Sequence, residues 1–547
     1  MRFLTRGNRL VAATVVVLLI GMLSNAPIAL AIEPPSVDPA LVPPDGTPGP
    51  EQAMRQSNVC ARAIAVATPD VGKPAPGFAM LNIAKAWQYS TGNGVPVAVI
   101  DTGVNPSPRL PVVSGGDYIM GGDGLTDCDA HGTIVASLIS AVPKGAPMPA
   151  PMPPAPAFPP PAGAPPATGA PLPPGSSPPV PAPEEQAGAS SSDPLGPDQP
   201  SGEPADGPAS GPGDLQASGP DNPVVPPASP DTPDGVAGVA PHATLISIRQ
   251  SSRAYEPESP EPGDVEMRRK AGTVTTLARA IVHAANLGAK VINVSVTACV
   301  SAADPLDQRA IGSAVWYAAT VKDAVIVAAA GNEGEDGCIQ NPPPNPLDIK
   351  DSRDWTHVKT VSSPSWFTDY VLAVGAVDDS GAPMSKSLAG PWVGTAAPGV
   401  GIMGLSPQTG GPVNAYPPIR PGERDIPFWG TSFSAAYVSG VAALVRAKFP
   451  QLTAHQVINR ILQTSHNPPR GVDNEVGYGV VDPVAALTFD VPAGERQAPD
   501  AQTRIVTPPT APPPPDHRAR TLAMAFAGTV TAVLLLTAAI RRARRAR

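Results

Sequence analysis

The sequence predicts an α/β protein whose mostly parallel sheet is covered by helices on both faces. Short apolar runs, typical of buried parallel strands, begin at residues 95, 243, 289, 324 and 370 and read VPVAVID, ATLISIRQ, AKVINVSV, AVIVAAAGN and YVLAVGAVD. Two helical segments lie between them, TVTTLARAIVHAANLGA from residue 273 and IGSAVWYAATVKDA from residue 311. This alternation favours crossover helices between parallel strands, so functional side chains are expected where the strands end.

The N-terminus has the features of a secretory signal peptide. Residues 1–31 begin with three arginines, continue as an apolar run and finish with small residues that suit a signal peptidase. An uncleaved anchor is the less favoured interpretation, because the apolar run is short. The body of the protein is therefore expected outside the cytoplasm.

The C-terminus predicts a membrane anchor. Residues 521–540 carry no charge and would span roughly 30 Å as a helix, which is the thickness of a bilayer core. Residues 541–547, RRARRAR, form a basic tail that is expected to stay in the cytoplasm. A soluble core helix is less favoured, since such helices rarely end in a basic cluster. The sequence thus predicts a cell-membrane protein with one span and its catalytic body on the extracytoplasmic side.

Proline marks the segments that lie outside the folded body. The chain has 77 prolines, and residues 143–234 are dominated by Pro, Ala, Gly and Ser. That segment has too few large apolar residues to offset its ordering entropy, so it is predicted to be a disordered insertion. Residues 491–520 are interpreted as a Pro-rich stalk. The body at 81–490 is long enough for one large domain once the insertion is set aside.

An N-terminal extension at 32–80 precedes the body. It is rich in proline and has no clear βαβ pattern, so it is a poor candidate for a folded inhibitory pro-domain. An extended segment that wraps the body and is retained is the favoured interpretation, and a cleaved propeptide is the alternative.

Charge and cysteine usage restrict the partners. The net charge is −9, and without the basic ends at 1–31 and 541–547 the chain has 29 Lys and Arg against 46 Asp and Glu, a formal charge of −17. This charge argues against nucleic acid as a partner.

An even number of exported cysteines favours two disulfides, with three possible pairings. The cysteines are Cys60, Cys128, Cys299 and Cys338. Their spacing does not resemble a zinc site and no calcium loop is legible, so no metal and no cofactor is expected.

Four polar residues lie at predicted strand ends or helix starts. Asp101 ends the first strand, where an ionised carboxylate needs a partner, although a turn or helix cap explains it equally well. His131 opens the predicted helix HGTIVASLIS, but a lone histidine is more often a surface or core residue. Asn332, in AAAGNEG, is either part of a common Gly-Asn turn or an amide donor to an oxyanion. Each of these signals is weak by itself.

Ser432 lies at the start of a longer helix, SFSAAYVSGVAALVRAKFP, residues 432–450. The segment is mostly apolar around its circumference, which predicts a central, buried helix. Ser432 or Thr431 could simply cap this helix. The alternative is that Ser432 is a nucleophile whose backbone N–H also serves an oxyanion.

Taken together, AVIDTGV, HGT, GVAPHATL, AAAGNEG and GTSFSAAYVSGVAALV occur in the order of the conserved blocks of the subtilisin-like serine proteases and resemble them over about residues 84–486. This resemblance to peptidase family S8 implies a subtilisin-like fold and a serine endopeptidase. Ser432 would attack the carbonyl, His131 would take its proton and Asp101 would orient the imidazole. The Asn332 amide and the Ser432 N–H would hold the oxyanion. Ala436 stands where the family usually has proline, which leaves the catalytic groups unaffected.

The whole layout resembles a narrower family, the mycosins, which are membrane-anchored proteases of mycobacterial type VII secretion systems. The resemblance implies a protein or peptide substrate and a secretion membrane complex as partner, which the protein would also stabilise. A mainly structural subunit with dispensable catalysis is the alternative. In the family fold the strands before Cys299 and Cys338 are neighbours, which implies a Cys299–Cys338 bond and, for the other two, Cys60–Cys128.

Overall fold

The structure is a computed structural model, which describes residues 32, 34–146, 233–259, 271–303, 307–335, 337–345, 347, 351, 353–469, 471–498 and 536–544. The predicted signal peptide, most of the Pro-rich insertion and most of the stalk lie outside the described residues. So does most of the predicted membrane helix; residues 536–544 are helical. No described helix combines the length and the apolar character needed to cross a membrane. The chain divides into two compact units, Met1–Ala501 and Gln502–Arg547, and the fold below is that of the first.

A seven-stranded sheet forms the centre of the body, and its strands all pair in parallel. Its strands in spatial order are β11 (Val393–Pro398), β10 (Val371–Val377), β8 (Val325–Ala329), β6 (Val291–Val294), β2 (Pro96–Asp101), β4 (Thr244–Arg249) and β3 (Val112–Asp117). The predicted fold class is confirmed, and all five predicted strands are present. The two strands that were not predicted, β3 and β11, contain Gly, Ser, Thr and Ala in place of a continuous Val/Ile run, so they lack the pattern of a buried strand.

Helices cover both faces of this sheet. They are α1 (Pro76–Met80), α2 (Ile83–Ala86), α3 (His131–Ser140), α4 (Val274–Asn286), α5 (Arg309–Trp316), α6 (Thr431–Lys448), α7 (Ala454–Thr464) and α8 (Pro483–Thr488). Short 3-10 turns at Pro39–Leu41 and Trp355–His357 and a π turn at Tyr317–Val321 complete the helical structure. The predicted helix from residue 311 therefore ends in a π turn.

Within the described residues, four two-stranded pairs lie outside the main sheet. They are β1 (Met54–Gln56) with β5 (Tyr255–Pro257), β7 (Ala298–Ser301) with β9 (Thr360–Ser363), β12 (Gly404–Leu405) with β13 (Pro412–Val413), and β14 (Ala415–Tyr416) with β15 (Ile426–Pro427). All four pairs are antiparallel.

Alternate side chains of the strands face two different cores. In β2, Val97 and Val99 belong to the core that contains α3 and α6, whereas Ala98 and Ile100 belong to the core that contains α4 and α5. Successive side chains of a strand point to opposite faces, so a strand with helices on both sides is apolar throughout. Helix α6 is buried from Thr431 to Arg446, which confirms the predicted central helix.

The N-terminal extension runs in an extended conformation along the body. Strand β1 pairs antiparallel with β5, and the Asp45 carboxylate lies 2.8 Å from His283 Nδ1. Further along, the Val66 N–H donates to the Asn414 side chain at 2.7 Å. These contacts agree with an extended wrap rather than a folded pro-domain, and its retention stays a prediction.

The two ends of the Pro-rich insertion meet at one place. The Gly238 N–H donates to the Ala141 carbonyl at 2.8 Å, so the chain re-enters the body where it left. Arg109 binds both ends, because its Nε donates to the Val142 carbonyl at 2.8 Å and its guanidinium forms an ion pair with Asp234. Asp234 was assigned to the insertion by composition and belongs instead to the body. Its partner is distant in sequence, so composition carried no signal for the contact.

Candidate active site

The end of β2 and the start of α3 bring Asp101 and His131 together. Asp101 is fully buried, and its Oδ1 lies 2.7 Å from His131 Nδ1. The same oxygen accepts a hydrogen bond from the Thr102 N–H at 2.7 Å. Because a carboxylate only accepts, Nδ1 is the protonated ring nitrogen and Nε2 is left with its lone pair. The hypothesis that Asp101 orients His131 requires such a contact between the carboxylate and Nδ1.

Two glycines allow this close approach of β2 and α3. A Cβ on Gly132 would lie 2.1 Å from the carbonyl oxygen of Gly103, so the two segments touch backbone to backbone. Gly103 itself has φ of +98°, in the left-handed region that glycine tolerates best. The close packing of the DTG and HGT segments therefore requires both glycines.

Thr102 and Asp127 hold these two segments in register. The Thr102 hydroxyl donates to Asp127 Oδ1 at 2.8 Å and accepts from the Gly132 N–H at 2.9 Å. Asp127 Oδ2 accepts from the Thr133 N–H at 2.8 Å. This support was not predicted from the sequence, although Thr102 directly follows Asp101 and Asp127 lies four residues before His131.

The surroundings raise the pKa of the Asp127 carboxyl and of the His131 imidazole. Burial raises the pKa of Asp127 to about 7. Burial by itself would lower the pKa of His131, but the charge of Asp101 and its hydrogen bond outweigh that effect, with a further contribution from Asp127. The pKa of the imidazole therefore lies above its ordinary value, which strengthens it as a base near neutral pH.

Ser432 lies in the first turn of α6 and is almost completely buried. Its hydroxyl donates to the Ser295 carbonyl at 2.9 Å rather than to His131. The ring of Phe433, the next residue, lies 5.1 Å from the His131 ring, so His131 faces the start of α6. Hydrogen bonds between nucleophile and base are often unformed in free enzymes. The capping alternative for Ser432 and Thr431 does not hold, because the N-cap is Gly430 and no side chain caps α6.

Asn332 meets the same end of α6. Its Oδ1 accepts from the Thr431 N–H at 3.0 Å and from the Thr431 hydroxyl at 3.1 Å. Its Nδ2 donates to Glu335 Oε2 at 3.0 Å. Gly430 leaves room for the amide, since a Cβ there would lie 3.2 Å from Nδ2. The oxygen of the Asn332 amide is thus held by Thr431, the residue before Ser432. The amide nitrogen, with its N–H groups, points away from Thr431.

Both disulfides of the expected pairing are present. Cys299 and Cys338 join β7 to the turn that carries Asn332. Cys60 and Cys128 attach the N-terminal extension three residues before His131. The pairing implied by the family resemblance is therefore confirmed, and both bonds flank the candidate site.

No metal-binding group is found in the part of the chain that the structure describes. Within those residues, no three or more His, Cys, Asp or Glu side chains are clustered as metal ligands would be.

A seven-stranded parallel sheet with Asp101 at the end of β2, His131 at the start of α3 and Ser432 in the first turn of α6 has the arrangement that the resemblance to subtilisin-like proteases implies. A family profile described as the Subtilase family matches residues 216–479, a span that includes Asn332 and Ser432 but not Asp101 or His131. Along nearly its whole length the chain is similar to Mycosin-2 of Mycobacterium tuberculosis, with 63% identity over 99% of this chain and 98% of that protein.

Solved structures extend this similarity to three dimensions. The crystal structure of MycP1 from Mycobacterium smegmatis matches with a TM-score of 0.66 and 38% identity, over 87% of this chain and 99% of that one. A chain in the structure of an intact ESX-5 inner membrane complex matches with a TM-score of 0.65 and 45% identity, over 93% of this chain and 99% of that one. The protein therefore belongs to the mycosins, a family of subtilisin-like serine proteases.

Proposed function

We propose that the protein is a membrane-anchored serine endopeptidase in which Asp101, His131 and Ser432 act as the catalytic triad. The observation that carries this proposal is the 2.7 Å contact between His131 Nδ1 and the buried Asp101 carboxylate, beside the helix that bears Ser432. The contact leaves His131 Nε2 free to accept a proton. The substrate is a protein or peptide.

The Ser432 hydroxyl first rotates away from the Ser295 carbonyl and towards His131 Nε2. Its oxygen then attacks the carbonyl carbon of the scissile peptide bond while its proton passes to Nε2. Asp101 stabilises the imidazolium that forms. When the intermediate collapses, the C–N bond breaks and Nε2–H protonates the leaving amine. Water then attacks the acyl-enzyme with the same base, which releases the acid product and restores Ser432.

The oxyanion of each intermediate would be bound by the Asn332 amide and the Ser432 backbone N–H. Two features support this assignment. The Asn332 oxygen is held by Thr431, which leaves the amide nitrogen as the donor. The Ser432 N–H belongs to the first turn of α6, where backbone N–H groups have no partner within the helix.

The remaining segments give the enzyme its location. Residues 1–31 would direct export and residues 521–540 would hold the body at the outer face of the membrane, behind the basic tail at 541–547. The stalk at 491–520 separates the body from the membrane.

A second role is stabilisation of a type VII secretion membrane complex. This is favoured by one specific observation, the similarity to a chain in the structure of an intact ESX-5 inner membrane complex. A family member that is part of such an assembly suggests that this protein also has a structural role, in addition to proteolysis. A mainly structural subunit with dispensable catalysis is the competing form of this proposal.

Labelling with a fluorophosphonate tests the triad. The reagent should modify the purified protein at Ser432, and Ser432→Ala should abolish the labelling because it removes the hydroxyl that is proposed to react. Ser434→Ala is the matched control, since Ser434 is also buried in α6 and its hydroxyl only contacts the Pro398 carbonyl at 3.2 Å. Labelling that persists in Ser432→Ala would exclude Ser432 as the nucleophile.

A further inference from the structure

The proposed oxyanion donor already has a negatively charged partner in the free protein. Asn332 Nδ2 donates to Glu335 Oε2 at 3.0 Å. The Glu335 side chain is 17% exposed, and Oε2 also lies 4.0 Å from the Arg253 guanidinium. A mostly buried carboxylate therefore lies against the amide that is proposed to bind the oxyanion.

Glu335 is not needed to orient the Asn332 amide. The amide oxygen accepts from both the backbone N–H and the hydroxyl of Thr431, which fixes the plane of the group. One side of the amide is therefore anchored independently of Glu335. A purely structural role for the Asn332–Glu335 contact would duplicate these two hydrogen bonds.

The backbone holds the Glu335 carboxylate in this place. The Glu335 N–H donates to the Asn332 carbonyl at 3.1 Å, and the Glu335 carbonyl accepts from the Cys338 N–H at 2.8 Å. Cys338 is in turn bonded to Cys299. The turn between Asn332 and Cys338 is thus closed at both ends and presents Glu335 to the amide.

We propose that Glu335 restrains the protease because its negative charge, held at the Asn332 amide nitrogen, opposes the charge that develops on the oxyanion. This inference rests on the proposed role of Asn332. The carboxylate and the substrate oxyanion would both bind N–H groups of one amide nitrogen, and like charges that lie so close together repel strongly where solvent is limited. The restraint is relieved when formation of the oxyanion, or contact with a partner, displaces the carboxylate, and Arg253 offers it a cation nearby.

The test compares Glu335→Gln and Glu335→Ala with the wild type in hydrolysis of one peptide substrate. Glu335→Gln keeps the shape and an acceptor but removes the charge, so kcat should rise about tenfold with KM nearly unchanged, because the oxyanion exists only beyond the ground state. Glu335→Ala should raise kcat at least as much. Affinity for a peptide aldehyde, which forms an oxyanion, should rise in parallel. Glu423→Gln is the matched control, because Glu423 also pairs with an arginine, Arg420, on an exposed loop.

A double-mutant cycle with Asn332→Ala separates the two hypotheses. The gain from Glu335→Gln should disappear in the Asn332→Ala background. If Asn332→Ala alone leaves kcat unchanged, the proposed role of Asn332 is wrong. If Asn332→Ala slows the enzyme but Glu335→Gln leaves kcat unchanged or lowers it while thermal unfolding is unaltered, the restraint is refuted and Glu335 only supports the turn.

Discussion

Ser432 and Ser295 are joined by a reciprocal pair of hydrogen bonds. The Ser432 hydroxyl donates to the Ser295 carbonyl at 2.9 Å, and the Ser295 hydroxyl donates to the Ser432 carbonyl at 3.0 Å. The Ser295 hydroxyl also accepts from the Asn293 side chain at 2.8 Å. The backbone of Ser432 is thus held to the end of β6, and rotation of its side chain is the step proposed to bring the hydroxyl to His131.

Loss of a triad residue should nearly abolish hydrolysis. Ser432→Ala and His131→Ala should each lower kcat by several orders of magnitude, because the members act as a unit. Asn332→Ala should cost less, roughly 10²–10³-fold in kcat, since one oxyanion donor of two is lost. The measurement is single-turnover and steady-state cleavage of one peptide. A Ser432→Ala protein that cleaves at the wild-type rate would remove the basis of the assignment.

Gly132→Ala should separate His131 from Asp101. The new Cβ would lie 2.1 Å from the Gly103 carbonyl oxygen, which is backbone and cannot move aside without shifting α3 or the DTG turn. We expect a loss of about 2–3 kcal/mol in the free energy of unfolding and at least a hundredfold loss of kcat. Chemical denaturation and peptide cleavage measure the two effects. Gly46→Ala, where a Cβ meets nothing within 4 Å, serves as the control. Equal stability and activity in both variants would contradict the close approach.

Activity should disappear on acidification at a higher pH than for an ordinary histidine. Only neutral His131 can accept a proton, so kcat/KM rises with pH through the pKa of the imidazole. That pKa is raised above 6.5, so the acid limb should have its midpoint above that value. The pKa of Asp127 is about 7, so its carboxyl carries only part of its negative charge in this pH range, and Asp127→Asn should move the midpoint downward only slightly. A pH profile with a midpoint at or below 6.5 in the wild type would be inconsistent with this electrostatic environment.

The sequence predicts where the candidate site residues lie relative to strands and helices, because strand ends and helix starts are local features. The Val- and Ile-rich run before Asp101 identifies β2, and a buried parallel strand leads its next residues to one edge of the sheet. His131 and Ser432 open helices α3 and α6, in which nine and sixteen residues respectively are buried. The sequence therefore predicts that Asp101, His131 and Ser432 lie at one edge of the parallel sheet.

The contacts that tune the site could not be predicted in this way. Ser295 and Ser432 lie 137 residues apart, so their reciprocal hydrogen bonds arise only when β6 and α6 pack together. Glu335 is close to Asn332 in sequence, but the amide meets its carboxylate because Thr431 fixes the other side of the amide. Strand β11 is not predicted for a different reason, since VGTAAP is mostly buried but has Gly, Thr and Ala where the pattern of a buried strand requires a continuous Val/Ile run.

Deletion of residues 151–230 should leave fold and catalysis intact. The ends of the insertion already meet, because the Gly238 N–H donates to the Ala141 carbonyl at 2.8 Å, and shortening a loop costs little in closure entropy. Peptide cleavage and thermal unfolding should match those of the full chain. The insertion leaves α3 at the end opposite His131, so its removal does not disturb the base.

Arg109→Ala provides the contrast to the deletion. It removes the partner of Asp234 and of the Val142 carbonyl and should lower the free energy of unfolding by about 2–3 kcal/mol, because a nearly buried carboxylate is left unpaired. A deletion variant that fails to fold, beside a stable Arg109→Ala variant, would show that the insertion belongs to the core and that Arg109 does not close it.

The last prediction separates the enzyme from the structural subunit. Ser432→Ala removes one hydroxyl whose hydrogen bond goes to the Ser295 carbonyl, and such a loss should cost only about 1 kcal/mol of folding free energy. The folded surface, both disulfides and residues 521–540 are unchanged by it. If association with a secretion complex depends on those features, Ser432→Ala should abolish proteolysis and preserve secretion, whereas loss of the protein or of residues 521–540 should disable secretion. Complementation of a deletion strain with each variant, with exported substrate and protein level measured together, tests this. Failure of Ser432→Ala to restore secretion at a normal protein level would mean that proteolysis alone carries the function.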